Sequence, residues 1–290
     1  MLILHALIAA LALAFTPVDE PSYRAQMEKW REQREENLKA ENGWLTVAGL
    51  FWLKDGENTI GSGAGNDFVV SGGSAPGKLG TFEFHGGRAT FQAAPGITVS
   101  VNGKPAVRAS LTDDSAGTPD ALAIGSLSMF VIHRGNRFGI RLKDKNSEAR
   151  RNFAGTRWFP IASQYRVRAT FVPYLPPKKI AVPDILGDVD REESPGYVEF
   201  RLQGRPLRLD PVSSGDMLFF IFRDQTANKE TYPSGRFLFS PLPQNGEVIL
   251  DFNQAMNPPC AFTPYATCPL PPEQNRLDIR IEAGELRYGD

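Results

Sequence analysis

Short alternations of apolar and polar residues, broken by two-residue turns rich in glycine, constrain this chain more than any other feature. Thr81-Phe82-Glu83-Phe84 and Arg88-Ala89-Thr90-Phe91 flank Gly86-Gly87, and Ile97, Val99 and Val101 alternate into Asn102-Gly103. Met129 to His133 and Phe138 to Leu142 surround Gly135-Asn136. A period of two sends alternate side chains to opposite sheet faces, and Gly or Asn pairs supply the positive φ of a tight hairpin. Later strands are expected at Tyr165–Phe171, Tyr197–Leu202, Leu207–Leu209, Met217–Phe222, Arg236–Phe239, Val248–Phe252 and Leu277–Ile281. The expected fold class is mainly β, with antiparallel sandwich and/or barrel halves packed together and one N-terminal amphipathic helix. Twenty-seven Gly and 23 Pro in 290 residues suit many turns between strands.

The helix is expected within 15–43. Ser22 is placed to cap it, Tyr23, Met27, Trp30 and Leu38 form its apolar stripe, and Asn42-Gly43 ends it. The charges between them, from Glu28 to Glu36, read as a solvated face. Pro173, Pro176, Pro177 and Pro183 mark the expected internal boundary, since proline resists continuation of a sheet. The expected units are therefore a β half over 44–172 and a second over 173–290, sharing an interface.

Leu2 to Ala14 is apolar except for His5, and is shorter than the roughly 18–20 residues of a spanning helix. Ala12-Leu13-Ala14 has the small-x-small pattern of a cleavage site, although no Lys or Arg precedes the run. A signal peptide over 1–14 is expected, with an uncleaved anchor or a misplaced start as alternatives. The mature chain would then be periplasmic or secreted, with no membrane span. The formal charge of −1, from 32 basic and 33 acidic residues, carries no global footprint for nucleic acid.

Two resemblances follow from particular words. Thr231-Tyr232-Pro233-Ser234-Gly235-Arg236, Asp251-Phe252-Asn253, the run Asn257-Pro258-Pro259-Cys260 to Cys268-Pro269, and the earlier Gly49-Leu50-Phe51-Trp52 and Trp158-Phe159-Pro160 resemble the uncharacterised bacterial and archaeal family DUF1684. That resemblance implies no activity. Thr59-Ile60-Gly61-Ser62, Asn66 to Val70 and Val101-Asn102-Gly103 are similar to the layout of forkhead-associated (FHA) β-sandwich domains over about 56–133. Ser62 stands where that family places Arg, and its Ser-x-x-His word is missing, so this likeness implies sheet architecture only.

No P-loop, nucleophile elbow or His-Glu-x-x-His word is present, and beyond the N-terminal run only His85 and His133 could serve as imidazoles. Metal ligation and cofactors are not expected, and no catalytic residue can be named. Cys260 and Cys268 are the only cysteines. A disulfide closing about nine residues would stabilise by roughly 2.6 kcal/mol; separate thiols, a redox or nucleophilic cysteine, and half a metal site are the alternatives. Alternation places Asp251 and Asn253 on one side of their strand, and pairing with the strand begun by Arg236 would bring both near Tyr232 and Asn257. From Arg134 to Arg168 ten basic residues face only Asp144 and Glu148, with Arg150 and Arg151 nearest the aromatics Phe153 to Trp158.

The expected ligand-binding set is Arg150, Arg151, Tyr232, Arg236, Asp251, Asn253 and Asn257. Guanidinium and amide groups of this kind orient a small polar or anionic ligand between the halves; a buried Arg–Asp pair pinning the loop is the structural alternative. A hydrolase with Asp251 as base and Arg236 as electrostatic stabiliser is the second functional reading. A structural or protein-interaction module is the third.

Overall fold

A computed structural model describes residues 19–71 and 75–289. The expected signal segment 1–14 lies outside them. The chain builds two open two-sheet sandwiches in succession, and no sheet among the described residues closes into a barrel.

In the first sandwich, a six-stranded sheet runs in the order Val47–Trp52, Arg137–Asp144, Leu127–Arg134, Leu122–Ile124, Val99–Val101, Lys104–Ala106. A five-stranded sheet runs Phe68–Val69, Gly56–Gly61, Gly80–His85, Arg88–Ala93, Arg108–Leu111. Their inward residues, among them Ile60, Phe82, Phe91, Leu122, Met129 and Ile140, form one core. All three expected hairpins form. Gly86 and Gly87 have φ of 54° and 79°, Asn102 and Gly103 50° and 78°, and Gly135 56°, the region these turns require.

The second sandwich packs a four-stranded sheet, Arg205–Leu209, Val189–Leu202, Arg166–Pro183, Glu247–Asp251, against the three strands Val212–Ser214, Met217–Phe222, Arg236–Pro241. Leu218, Phe220 and Phe222 join the core between these sheets, while Ile221 faces a separate cluster with Phe237, Ala266 and Cys268. The unbroken apolar run of Met217–Phe222 follows from burial on both faces.

Several expectations change. The helix spans Glu20–Lys39, with Pro21 in its first turn and Asp19 in the cap position, so Ser22 is not the cap; the fixed φ of proline suits the first turn. Gly43 does not close the helix in a left-handed conformation, since its φ is −70°. It is needed for close approach, because a Cβ there would lie 2.3 Å from the Leu38 carbonyl oxygen. Pro173–Pro183 is not a linker but part of strand Arg166–Pro183. Pairing with Val189–Leu202 jumps from Pro173↔Gly196 to Lys178↔Ser194, and Pro176 and Pro177 fall in that irregularity, where a missing N–H breaks no ladder bond. Leu277–Ile281 forms no strand. Leu277, Ile279 and Ile281 are buried as their alternation suggests, but the chain bonds singly to Arg223, Gln225 and the Asp224 carboxylate.

The helix lies along the second sandwich. Tyr23 and Met27 pack on Ile161, and Leu38 on Leu45 and Phe262. Its charged residues are not all solvated. Arg34 donates to the buried Glu285, and Glu35 accepts from the Thr156 backbone N–H and hydroxyl at 2.8 Å each. Arg34 belongs to the helical stripe of Tyr23, Met27 and Leu38, so the inward face continues through a charge.

Candidate functional site

A cleft of about 650 Å³ opens where the two sandwiches meet. Val47 and Ala48 belong to the first strand, Asp144 to Ala149 and Arg151 to the turn and short helix after Arg137–Asp144, and Phe262 to Tyr265 to the Cys/Pro segment. Local chemistry shapes the turn. Asp144 accepts from the Asn146 N–H at 2.8 Å, and Ser147 caps helix Glu148–Arg151 by accepting from the Arg150 N–H at 3.3 Å. The opposite wall is fastened by the Thr263 hydroxyl, which donates to the Val47 carbonyl at 3.1 Å. Arg151 donates to the Asn146 carbonyl at 2.6 Å and pairs with no carboxylate among the described residues. Asp144, Glu148 and Arg151 thus offer both signs of charge beside the aromatic rings of Phe262 and Tyr265.

Of the expected ligand-binding residues only Arg151 lines this cleft. Arg150 turns away, donating to the carbonyls of Lys39 and Lys145 at 2.6 and 2.8 Å, where it fastens the end of the N-terminal helix. Asp251 is covered by Tyr23, whose hydroxyl lies 2.8 Å from both carboxylate oxygens. Burial raises the Asp251 pKa, opposed by its bonds from Tyr23 and Asn253 and by Arg166 at 3.8 Å. Asn253 is fully buried; its amide donates to Tyr23, Asp251 and the Ala162 carbonyl and accepts from the Ala162 N–H. This network ties helix, strand end and the segment before Arg166 together.

Arg236 belongs to a different network. It is fully buried, pairs with Asp224 at 3.1 Å and donates to the carbonyls of Ile281 and Ala283. Asp224 also accepts from Thr226 and the Ile281 N–H. Asn257 donates its backbone N–H to Glu285 at 2.6 Å and its amide to the Leu286 carbonyl at 2.8 Å. The expected meeting of Arg236, Asp251, Asn253 and Asn257 in one site therefore does not occur. Asp251 ends its strand facing the helix, while Arg236 points between the strands and the C-terminal segment. A carboxylate base and its guanidinium partner are not brought to a common opening.

Cys260 and Cys268 lie side by side as free thiols, with the Cys260 N–H 3.1 Å from the Cys268 sulfur. Tyr232 donates to the Cys260 carbonyl at 3.1 Å, so it anchors the segment from below the cleft wall rather than lining the cleft. Arg141 donates to the hydroxyl of Thr267, next to Cys268, at 3.2 Å; it is 4% exposed and lies over the Trp44 ring at 5.3 Å. Burial lowers its pKa to about 10.

The basic stretch does not converge either. Arg134 pairs with Asp114, Arg137 with Asp188, Lys145 with Glu41, Arg166 with Asp251 and Arg168 with Glu247. A second cleft of about 660 Å³ borders Asn42, Phe130, Lys143 and Lys145, but Lys143 is bonded to the Asn42 carbonyl. His133 stacks on Phe138 with ring centres 4.0 Å apart, and His85 lies exposed beside Asp55. Among the described residues no three His, Cys, Asp or Glu side chains are grouped to hold a metal ion, and no helix is long and apolar enough to cross a membrane.

The cleft residues Asp144, Asn146, Ser147, Glu148, Thr263 and Tyr265 were not among the expected site residues. Asp144-Lys145-Asn146-Ser147-Glu148, a dense polar turn directly after the last strand of the first sandwich, is the signal in the sequence that points to them.

Among functionally curated proteins none matches the chain. The solution structure of an uncharacterized protein of Haloarcula marismortui is 31% identical over 47% of this chain and 78% of that one, with a TM-score of 0.40. Weak similarity also links the chain to the FhaA FHA domain, complexed with an intracellular domain, at 17% identity over 32% of this chain and 97% of that one, TM-score 0.24. A further FHA structure, studied for phosphothreonine-dependent interactions, has the same identity and TM-score and is covered to 92%. Residues 151–286 match the model of the family described as "Protein of unknown function (DUF1684)".

Proposed function

We propose that the chain binds a small polar molecule in the cleft between its two sandwiches. The observation that carries this reading is the composition of the walls: Asp144, Glu148 and Arg151 on one side and Phe262, Thr263 and Tyr265 on the other. Carboxylates accept from hydroxyl or ammonium groups, a guanidinium holds a single anionic group, and aromatic rings cover an apolar face. A polyanion meets two carboxylates there and is disfavoured. The favoured class is a hydroxyl- or amine-bearing molecule with at most one negative group, such as a sugar acid or an amino acid.

A thermal-shift screen of the folded chain against neutral sugars, sugar acids, amino acids and inorganic phosphate tests this. A stabilising hit among the first three classes is expected, and response to phosphate alone contradicts it. We further propose that the chain is exported and trimmed within its N-terminal apolar run. Intact-mass measurement of protein from the envelope is expected to find a mature start after Ala14, and a retained Met1 overturns that.

A further inference from the structure

Cys260 and Cys268 are the first and last residues of a nine-residue segment whose middle, Phe262 to Tyr265, forms one wall of the cleft. Any covalent change at the pair is therefore a change in how that wall is tied. The two sulfurs are not equivalent. Cys260 is half-buried, whereas Cys268 is buried, 5% exposed, against Val182, Ile221 and Phe237. Cys268 hydrogen-bonds to Cys260, and Arg141 donates to the hydroxyl of Thr267, the residue before Cys268.

Among the described residues no carboxylate forms an ion pair with Arg141. Its Nε–H has no acceptor, and its side chain donates to the Thr267 hydroxyl at 3.2 Å. Asp114 is held by Arg134 in a two-point pair at 2.9 and 2.7 Å. A buried cation with an unfilled donor stabilises an anion beside it, and a thiolate is the group that can supply one here. Consistently, the hydrogen bond from Cys268 and then the charge of Arg141 lower the Cys260 pKa, while the bond to Cys260 and burial raise that of Cys268.

We propose that Cys260 and Cys268 form a reversible dithiol–disulfide couple, with Cys260 as the attacking thiolate and Cys268 as the resolving thiol, whose state sets the tightness of the cleft wall. The co-reactant is a small disulfide. The Cys260 thiolate attacks one sulfur of it, the S–S bond breaks, and one thiolate leaves and is protonated. Cys268 then loses its proton and attacks the Cys260 sulfur of the mixed disulfide, releasing the second thiol. The protein pair is oxidised by two electrons and the small disulfide is reduced to two thiols. Replacing a contact between sulfurs by a bond of about 2.05 Å shortens the base of the segment that carries Phe262, Thr263, Pro264 and Tyr265. The couple does not depend on which ligand fills the cleft.

Incubation of the folded chain with oxidised glutathione, followed by alkylation, intact mass and hydrogen exchange, tests the proposal. The expected result is simultaneous loss of two alkylatable thiols, reversal by dithiothreitol, and slower exchange confined to 261–267 and the facing Val47–Ala48. Cys268→Ser is expected to accumulate a glutathione adduct at Cys260, and Cys260→Ser to form an adduct at least about tenfold more slowly. Arg141→Met, which keeps an apolar stem over Trp44, is expected to slow adduct formation on the Cys268→Ser background about tenfold. Three outcomes overturn the proposal: thiols that stay free in the wild-type chain, adducts formed equally by both cysteine variants, or a disulfide that leaves exchange in 261–267 unchanged. The wild-type measurement stands even if a variant fails to fold.

Discussion

Asp251 and Asn253 show what a buried polar residue can be doing when it is not at a site. Asp251 takes two contacts from the Tyr23 hydroxyl and one from the Asn253 amide, yet desolvation still lifts its pKa above the ordinary 3.8. The folded chain therefore holds this proton more tightly than the unfolded chain. Stability from the protonated form is full below the unfolded value and is lost as pH rises through the raised folded value. Glu285, desolvated beside Arg34, shifts the same way. In urea-unfolding free energies measured between about pH 4 and pH 7, the stability of wild type relative to Asp251→Asn is expected to fall as pH rises. Equal slopes in the two proteins contradict this. The sequence puts Asp251 and Asn253 close together, but they do not share a strand face: Asp251 ends the strand and Asn253 lies in the 3₁₀ turn Phe252–Gln254 that follows. It could not show that Tyr23, 228 positions away, would close over them, because pairing between a helix and a distant strand end leaves no local pattern.

Among the elements, the hairpins of the first sandwich were the most legible, since turn and register are written in adjacent residues. Pro173–Pro183 misled because proline argues against a regular ladder, and here the ladder is irregular at that point. Leu277–Ile281 misled in the opposite sense: its alternation reports burial faithfully, but its backbone partners are loops and one carboxylate. The N-terminal helix reads as a surface helix from its charges, yet it is a strap. Arg34 donates to Glu285 at 2.9 Å and to the Asn257 carbonyl at 3.1 Å, and Glu285 is fully buried. Removing one partner of a buried pair strands the other charge, at about 3–5 kcal/mol. Arg34→Ala is accordingly expected to lose stability of that order by urea denaturation, with faster hydrogen exchange at Asn257 and Glu285. A loss below about 1 kcal/mol, the size of an exposed pair, would mean that the strap contributes little.

At the scale of the molecule, the C-terminal half that carries the family match also supplies the Cys/Pro segment, and that segment reaches across to Val47 of the first sandwich. The cleft so formed takes residues from both halves, whereas Arg236, Asp251 and Asn253 serve packing between helix, sheets and C-terminal segment. The specific prolines and cysteines of Asn257 to Pro272 thus matter for how they hold a wall. The polar turn Asp144 to Glu148, unremarkable as sequence, provides the facing groups. The cleft was illegible because its two walls lie more than a hundred residues apart. The most direct test is isothermal titration of the strongest thermal-shift hit into wild type, Arg151→Ala and Asp251→Asn. Binding in the cleft predicts an affinity loss of about tenfold or more in Arg151→Ala and none in Asp251→Asn. The reverse order, with affinity lost at Asp251 and kept at Arg151, contradicts the assignment.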